Sequence, residues 1–245
     1  MGRRRPAQPS LYMWRFVEEI LLSGLILLCA AVAPNIFPAA QAQYANMATL
    51  AVWALIPSVV VMAITVAIAV WRGHRRLVNR VCVGLAAGTL ATVGLEAVRI
   101  TSFRVFHGMP GDLPKLLGVL LLNRFMLGPS AWSNVLGYLY HFWNGACFGI
   151  IFAVIFGRSR FYWGLLYGEV IGTGFLLSPA VTALGVGSFA SKMRSMQITV
   201  WLAHLVYGGI LGWLCHRWIH ERGWLLSGSA NTASPRMDVE AKSGD

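Results

Sequence analysis

Residues 131–156 read AWSNVLGYLYHFWNGACFGIIFAVIF, and this stretch decides the fold class of the protein. It contains no Asp, Glu, Lys or Arg. It is also longer than the roughly 20 apolar residues that an α-helix needs to cross the hydrocarbon core of a bilayer. Because a backbone exposed to lipid has to satisfy its own hydrogen bonds, we predict that this stretch forms a transmembrane helix.

Further apolar stretches of similar character lie on both sides of it. They cover residues 16–33, 48–71, 81–98, 161–184 and 196–218. The sequence therefore predicts an all-α fold, a polytopic transmembrane helical bundle of about six spans that forms one domain over residues 1–226. The tail at 227–245 is polar and has no aromatic residue, so we expect it to be disordered.

The composition agrees with a membrane protein. Hydrophobic residues make up 57% of the chain and charged residues only 12%, whereas soluble domains carry about 25% charged residues. The net charge of +11 arises from Lys and Arg in short segments between the apolar stretches, with no continuous basic face. We therefore predict the lipid bilayer, and other membrane subunits, as partners, and no nucleic acid.

Basic residues also predict the orientation in the membrane. Arg clusters precede the first stretch and follow the second, at Arg3, Arg4, Arg5, Arg15, Arg72, Arg75, Arg76 and Arg80, whereas the segment 35–44 has no Lys or Arg. The positive-inside rule then places both termini in the cytoplasm, provided that the first span is retained. The long connection after the third stretch weakens the pattern, because it would lie outside and yet holds Arg99, Arg104, Lys115 and Arg124.

The first stretch has two interpretations. Ala40-Gln41-Ala42 has the small-x-small pattern of a signal-peptidase site, so residues 1–42 could be a cleaved signal. Glu18 and Glu19 stand where signal peptides are normally basic, which favours a retained helix.

The long connection between the third and fourth stretches predicts a short helix. Asp112 is a good N-cap residue, Pro114 suits a first helical turn, and an apolar run continues to Leu122. This run is too short to cross a bilayer, so we expect an interfacial or re-entrant helix.

An internal repeat is the most specific motif. Residues 141–149 read HFWNGACFG and residues 204–212 read HLVYGGILG, and both fit H-x-x-x-G-x-x-x-G. A period of four places the histidine and both glycines on one side of each helix. These residues are His141, Gly145, Gly149, His204, Gly208 and Gly212. Both helices run in the same direction, so we expect the two imidazoles at similar depth and the glycines at close helix contacts.

Three interpretations of the histidine pair stay open. In the first, each histidine donates a hydrogen bond to a neighbouring carbonyl or hydroxyl group and helps to hold the bundle together. In the second, the pair lines a polar cavity for protons or a substrate. In the third, His141 and His204 are the axial ligands of a b-type haem, or ligands of a metal.

Glu169 is a rare acidic residue inside a predicted span. It lies on a segment whose glycines form another close-packing face, at Gly164, Gly168 and Gly172. Two roles are open, a proton relay and a structural hydrogen bond, with Asn144 and Tyr207 as candidate partners. Glu96 precedes Arg99 by three residues, and we interpret that pair as structural.

Signatures of common enzymes are missing from the sequence. There is no P-loop, no Gly-x-Ser-x-Gly, no HExxH and no dinucleotide fingerprint, and nothing pairs a nucleophile with a base. Pro57 and Pro179 lie inside predicted spans, where we expect them to kink the helices.

Several segments of the second half carry a family resemblance. They are the His-bearing span 141–156, the Gly-Leu-Leu-x-Gly segment 164–168, the Pro/Gly-rich segment 179–187 and the His-Leu-Val start at 204–206. Over residues 113–215 the chain resembles the small bacterial inner-membrane proteins of the YagU-like kind. The resemblance implies a membrane-embedded helical fold in the bacterial inner membrane and brings no established activity or cofactor.

The sequence thus favours a non-enzymatic membrane protein, either an accessory or assembly protein or a small permeation pathway. Its polar interior would be formed by His141, His204, Glu169, Asn144 and Tyr207. The alternative is an electron-transfer subunit that binds haem b or a metal through His141 and His204.

Overall fold

The computed structural model describes residues 9–223, and within them the protein is an α-helical bundle without strands. The helices are α1 (Pro9–Gln41), α2 (Met47–Trp71), α3 (Arg75–Arg104), α4 (Leu113–Leu121), α5 (Ala131–Phe156), α6 (Phe161–Leu177), α7 (Pro179–Ala183) and α8 (Arg194–Trp218). The predicted all-α bundle is confirmed. The tail at 227–245, which was expected to be disordered, lies outside the described residues.

Five helices are long and apolar enough to cross a membrane: α1, α2, α3, α5 and α8. The single span predicted at 161–184 is wrong in its extent, because Ser178 has an extended backbone and divides it into α6 and α7. Pro179 explains the break, since proline disfavours the helical conformation in the residue before it. Helix α6 has 17 residues and is therefore about 26 Å long, slightly shorter than a typical hydrocarbon core.

Pro57 affects α2 in a different way. The helix continues through it, and the turn before it, Ala51–Leu55, is a wider π-helical turn. Proline has no N–H to donate to the preceding turn, and a widened turn is one way in which a helix accommodates that loss.

The predicted short helix in the long connection is α4, and it packs against α5. Its buried residues include Pro114, Leu117 and Gly118, and a Cβ atom on Gly118 would lie 3.0 Å from the backbone nitrogen of Gly137. Asp112 occupies the N-cap position, but its carboxylate makes no capping hydrogen bond.

Glycines bring two pairs of antiparallel helices into backbone contact. In the first glycine pair, α3 and α5, a Cβ atom on Gly84 would lie 2.6 Å from the carbonyl oxygen of Gly149. In the second glycine pair, α6 and α8, a Cβ atom on Gly164 would lie 2.5 Å from the Cα of Gly212. Only glycine leaves room for such approaches. The two pairs are joined by Tyr207, whose hydroxyl donates to the Gly145 carbonyl oxygen at 2.7 Å.

The start of α1 is tied to the turn between α2 and α3 by charged residues. Arg72 donates from Nε to Glu18 Oε1, and Arg76 donates from Nε to Glu19 Oε1, both at 2.7 Å. His74 is buried between the two carboxylates, with its ring nitrogens 3.4 Å from Glu18 and 3.8 Å from Glu19. The hydrogen bond to Glu18 raises the pKa of Arg72 above its ordinary value.

Candidate functional site

A cavity of about 560 Å³ lies inside the bundle, lined by residues of α1, α3, α4, α5, α6 and α8. Its wall is mainly apolar, and Phe37, Leu117 and Phe148 are typical of it. This volume falls in the range of pockets that bind drug-sized ligands, which are likewise mostly apolar with a few polar groups. The cavity is therefore large enough for a small organic molecule.

Four of the five predicted polar-interior residues line this one cavity: His141, His204, Asn144 and Tyr207. His141 lies ten residues into α5 and His204 ten residues into α8, so each is about 15 Å from the start of its helix. The structure thus brings these four side chains together.

Glu169, the fifth predicted residue, does not belong to the described wall of the cavity. It is only partly buried on α6, whereas its neighbours Tyr167 and Val170 do line the cavity. On the face of α6 towards α8, Gly168 and Gly172 pack against His204 and Gly208. The helix face that carries the glycines thus points inward, and the carboxyl group lies off that face.

A charged group that the sequence-based site did not include lies at the cavity wall. Arg99, which lines the cavity, donates from Nε and Nη2 to the two carboxylate oxygens of Glu96, both at 2.7 Å. A further hydrogen bond runs from its Nη2 to Asp112 Oδ1 at 3.2 Å. Glu96 and Arg99 are only 5% and 4% exposed. This ion pair is buried inside the bundle, at the cavity wall.

His141 extends this charged group towards α5. Its Nε2 lies 2.9 Å from Glu96 Oε1, but the two atoms are not aligned as a hydrogen bond, so we describe the pair as a close contact. The charged group, which we call the Glu96 cluster, consists of Glu96, Arg99, Asp112 and His141. It joins α3, the start of α4 and α5 at one end of the cavity.

Two residues of the cavity wall carry a buried polar atom that has no hydrogen-bond partner. They are Arg99 at Nη1 and Asn144 at Oδ1. An unpartnered buried polar group costs about 1–3 kcal/mol. These two atoms leave the polar end of the cavity without a full set of partners.

The other two polar wall residues are already satisfied locally. His204 Nδ1 is 2.7 Å from the Val200 carbonyl oxygen of its own helix. Tyr207 donates its hydroxyl proton to the Gly145 carbonyl oxygen, as described above. These two side chains therefore contribute structure and shape to the wall before any ligand is considered.

Exposed wall residues on α1 and α6 indicate that the cavity opens at the surface of the bundle between these two helices. Val170 lines it and is 61% exposed, and Gly174 and Asn35 are also both wall residues and exposed. A side chain placed at Gly174 would meet no atom within 4 Å. We call this opening the mouth of the cavity.

A metal site of several protein ligands is not formed by the described residues, which contain no cluster of three or more His, Cys, Asp or Glu that could hold an ion. Haem would need only two ligands, and both histidines line the same cavity. Ligation through Nε2 of His141 would compete with its contact to Glu96.

Sequence reasoning singled out the histidines but not the Glu96 cluster. It paired Glu96 with Arg99, as the structure does, but interpreted the pair as structural. The signal that could have found them is the acidic residue inside an apolar span, which is costly in lipid and usually functional. Asp112 could not be found in this way, because it reaches Arg99 only by a tertiary contact between residues 13 positions apart in the chain.

No family model matches this chain, no curated protein matches it and no solved structure matches it. The resemblance to YagU-like proteins stays a prediction, and function is inferred from the cavity.

Proposed function

We propose that this chain is a non-enzymatic membrane protein that binds a small, mostly apolar molecule in its internal cavity, as a binding or permeation protein for that molecule. The observation that carries the proposal is the cavity of about 560 Å³ with an apolar wall and a single polar end. A purely structural bundle would gain stability from filling such a space, because interiors are normally close-packed.

The place of the mouth supports entry from the bilayer. Gly174 lies thirteen residues into α6, about 20 Å from the start of that helix, so the mouth is at membrane depth. The exposed Val170 beside it is apolar. A lipid-soluble molecule can reach this opening without crossing water.

A binding experiment tests the proposal. Prodan, a neutral naphthyl ketone with environment-sensitive fluorescence, would be titrated against the full chain in lipid nanodiscs. We expect saturable binding above the partition into empty nanodiscs. Gly174→Phe should weaken it about tenfold or more, since the ring would occupy the mouth and displace favourable apolar contact.

Gly24→Phe is the matched control. Gly24 lies on α1, does not line the cavity and, like Gly174, has no atom within 4 Å of an added Cβ. It should bind Prodan like the unchanged protein. Binding that is absent, or equal in all three proteins, would contradict the proposal.

Haem b or a metal held by His141 and His204 is the second candidate, because both residues line the same cavity. The protein purified in mild detergent would then show a Soret band or bound metal, and His141→Ala would remove it. We expect a colourless, metal-free, folded protein, because His141 Nε2 faces Glu96 and His204 Nδ1 faces a backbone carbonyl. A Soret band that depends on both histidines would reverse this order of preference.

We also propose that the protein resides in the bacterial inner membrane with both termini in the cytoplasm and α1 retained. The Arg clusters at one end of the bundle and the family resemblance support the location. Retention of α1 is supported by its contacts, because Glu18 pairs with Arg72 and Tyr140 donates to the Ala33 carbonyl oxygen at 2.7 Å.

A further inference from the structure

We infer that the molecule held in the cavity carries a neutral head with a carbonyl oxygen, and that Arg99 and Asn144 bind this head. The inference rests on the proposed function and adds to it the chemistry of the ligand. It assigns the two side chains a shared role in recognition.

The unpartnered atoms define what the head must offer. Arg99 Nη1 is a donor only, so it needs an acceptor oxygen. Asn144 has an unpartnered oxygen, and its amide can present either that oxygen or its NH₂ group to a ligand. A carbonyl oxygen can accept two hydrogen bonds at once and therefore suits Arg99 together with one neighbour.

The permanently charged side chains disfavour an anionic head. Apart from the imidazole of His141, Arg99 is the cation at hydrogen-bond distance in the Glu96 cluster, and it already faces the carboxylates of Glu96 and Asp112. Lys115 lies 3.5 Å from Asp112 and brings the formal charge of these four side chains to zero, but it is 38% exposed at its side chain. A third buried negative group would therefore have no permanently charged cation of its own, which is unfavourable in an apolar site.

The unpartnered donor of Arg99 argues against a cationic head. An ammonium group brings only donors and would leave Nη1 without an acceptor. A neutral head avoids both problems, because it supplies the acceptor and adds no charge to be compensated.

The rest of the cavity fixes the body of the ligand. Apolar side chains such as Leu95, Phe148 and Phe175 surround the space between the polar end and the mouth. The mouth lies at membrane depth. The ligand class is therefore a lipid-soluble ketone, quinone or ester with an apolar body.

The test compares three probes in competition with Prodan for the full chain in nanodiscs. All three share one naphthalene body. The first carries a propionyl group and is therefore a ketone, the second carries a propyl group at the same position, and the third carries a carboxylate there. We expect the ketone to bind about tenfold more tightly than the propyl analogue, because one hydrogen bond to a charged donor contributes a free energy of about that size. The carboxylate should bind weakest.

Variants then show which side chain causes the preference for the ketone over the propyl analogue. Arg99→Lys keeps the positive charge beside Glu96 but removes the branched guanidinium and its Nη1 donor, so the preference for the ketone should fall by about tenfold. Arg104→Lys is the matched control, since Arg104 is exposed on the same helix and is not among the wall residues. It should keep the full preference.

Asn144→Leu provides a second route, because it leaves the Glu96–Arg99 pair intact. It should reduce the preference for the ketone while the propyl analogue binds unchanged. Two further competitors, a short-chain quinone and a monoacylglycerol, distinguish a quinone ring from an ester as the natural source of the carbonyl.

The outcomes separate this inference from the proposed function. Equal binding of the ketone and the propyl analogue, with loss of both in Gly174→Phe, overturns the carbonyl head and leaves the binding function standing. Tightest binding of the carboxylate overturns it in favour of an anion. If no probe binds in the cavity, the proposed function fails and the inference falls with it.

Discussion

Arg99 and Glu96 show how one buried ion pair can organise the polar end of an otherwise apolar interior. Two parallel hydrogen bonds at 2.7 Å fix the guanidinium against the carboxylate. Each ion is expensive to bury, and the pair is stable only because both are present. The same geometry leaves Nη1 unused, so the pair holds a charged donor ready at the cavity wall.

Removal of the Glu96 carboxylate should therefore destabilise the protein strongly. In Glu96→Gln the buried Arg99 keeps only Asp112 as a charged acceptor, and the free energy of unfolding should fall by about 3–5 kcal/mol. Thermal unfolding in detergent measures the change. Glu169→Gln is the control, because Glu169 is partly buried and outside the Glu96 cluster, and it should unfold close to the unchanged protein. Similar losses in both variants would contradict this account of Glu96.

At the scale of helices, the two glycine pairs determine which elements surround the cavity. Helices α3 and α5 touch at Gly84 and Gly149, and α6 and α8 touch at Gly164 and Gly212. Sequence reasoning identified the glycines of α5, α6 and α8 but not the partner glycines of α3, because only the spatial arrangement says which helix faces which. It also treated α6 and α7 as one span, since an apolar run does not itself reveal where its backbone breaks.

A single added methyl group tests the close contact between α3 and α5. Gly84→Ala places a Cβ atom 2.6 Å from a carbonyl oxygen and 2.7 Å from the Cα of Ile150, so the helices must separate. We expect a loss of about 1–3 kcal/mol in the free energy of unfolding, despite the better helix propensity of alanine.

Gly24→Ala serves as the comparison for that measurement. An added Cβ at Gly24 meets nothing within 4 Å, so stability should stay the same or rise slightly. A Gly84→Ala protein as stable as Gly24→Ala would show that α3 and α5 are not held by glycine contact.

For the molecule as a whole, the length of the apolar runs was enough to predict a helical membrane bundle. The repeated H-x-x-x-G-x-x-x-G pattern predicted that both histidines lie inside it. The cavity itself could not be predicted, because it is the space left by helices whose order in the bundle depends on side-chain contacts. The Glu96 cluster shows the same limit. Its members come from three separate segments, and no local pattern links Asp112 to Arg99.

Retention of α1 is a prediction at this scale. Pro34, Phe37 and Pro38 of α1 form part of the cavity wall, so loss of residues 1–42 would remove one side of the site. The intact mass of the purified protein should therefore be 26.8 kDa, apart from processing of the first methionine. A product lacking residues 1–42 would contradict the retained helix.

The proposed orientation has a separate test. A fluorescent protein fused to the C terminus should fluoresce, as expected for the cytoplasm.

The two glycine pairs also bear on ancestry. In each pair, the first helix along the chain has glycines four residues apart. The second helix is antiparallel to it and carries the H-x-x-x-G-x-x-x-G pattern. Such an arrangement is what duplication of one ancestral pair would leave. Counted from the matched glycines Gly84 and Gly164, the position of Glu96 corresponds to Leu176, which is fully buried. The two glycine pairs therefore differ at the position that carries the charge of the polar side, Glu96 in one pair and an apolar leucine in the other.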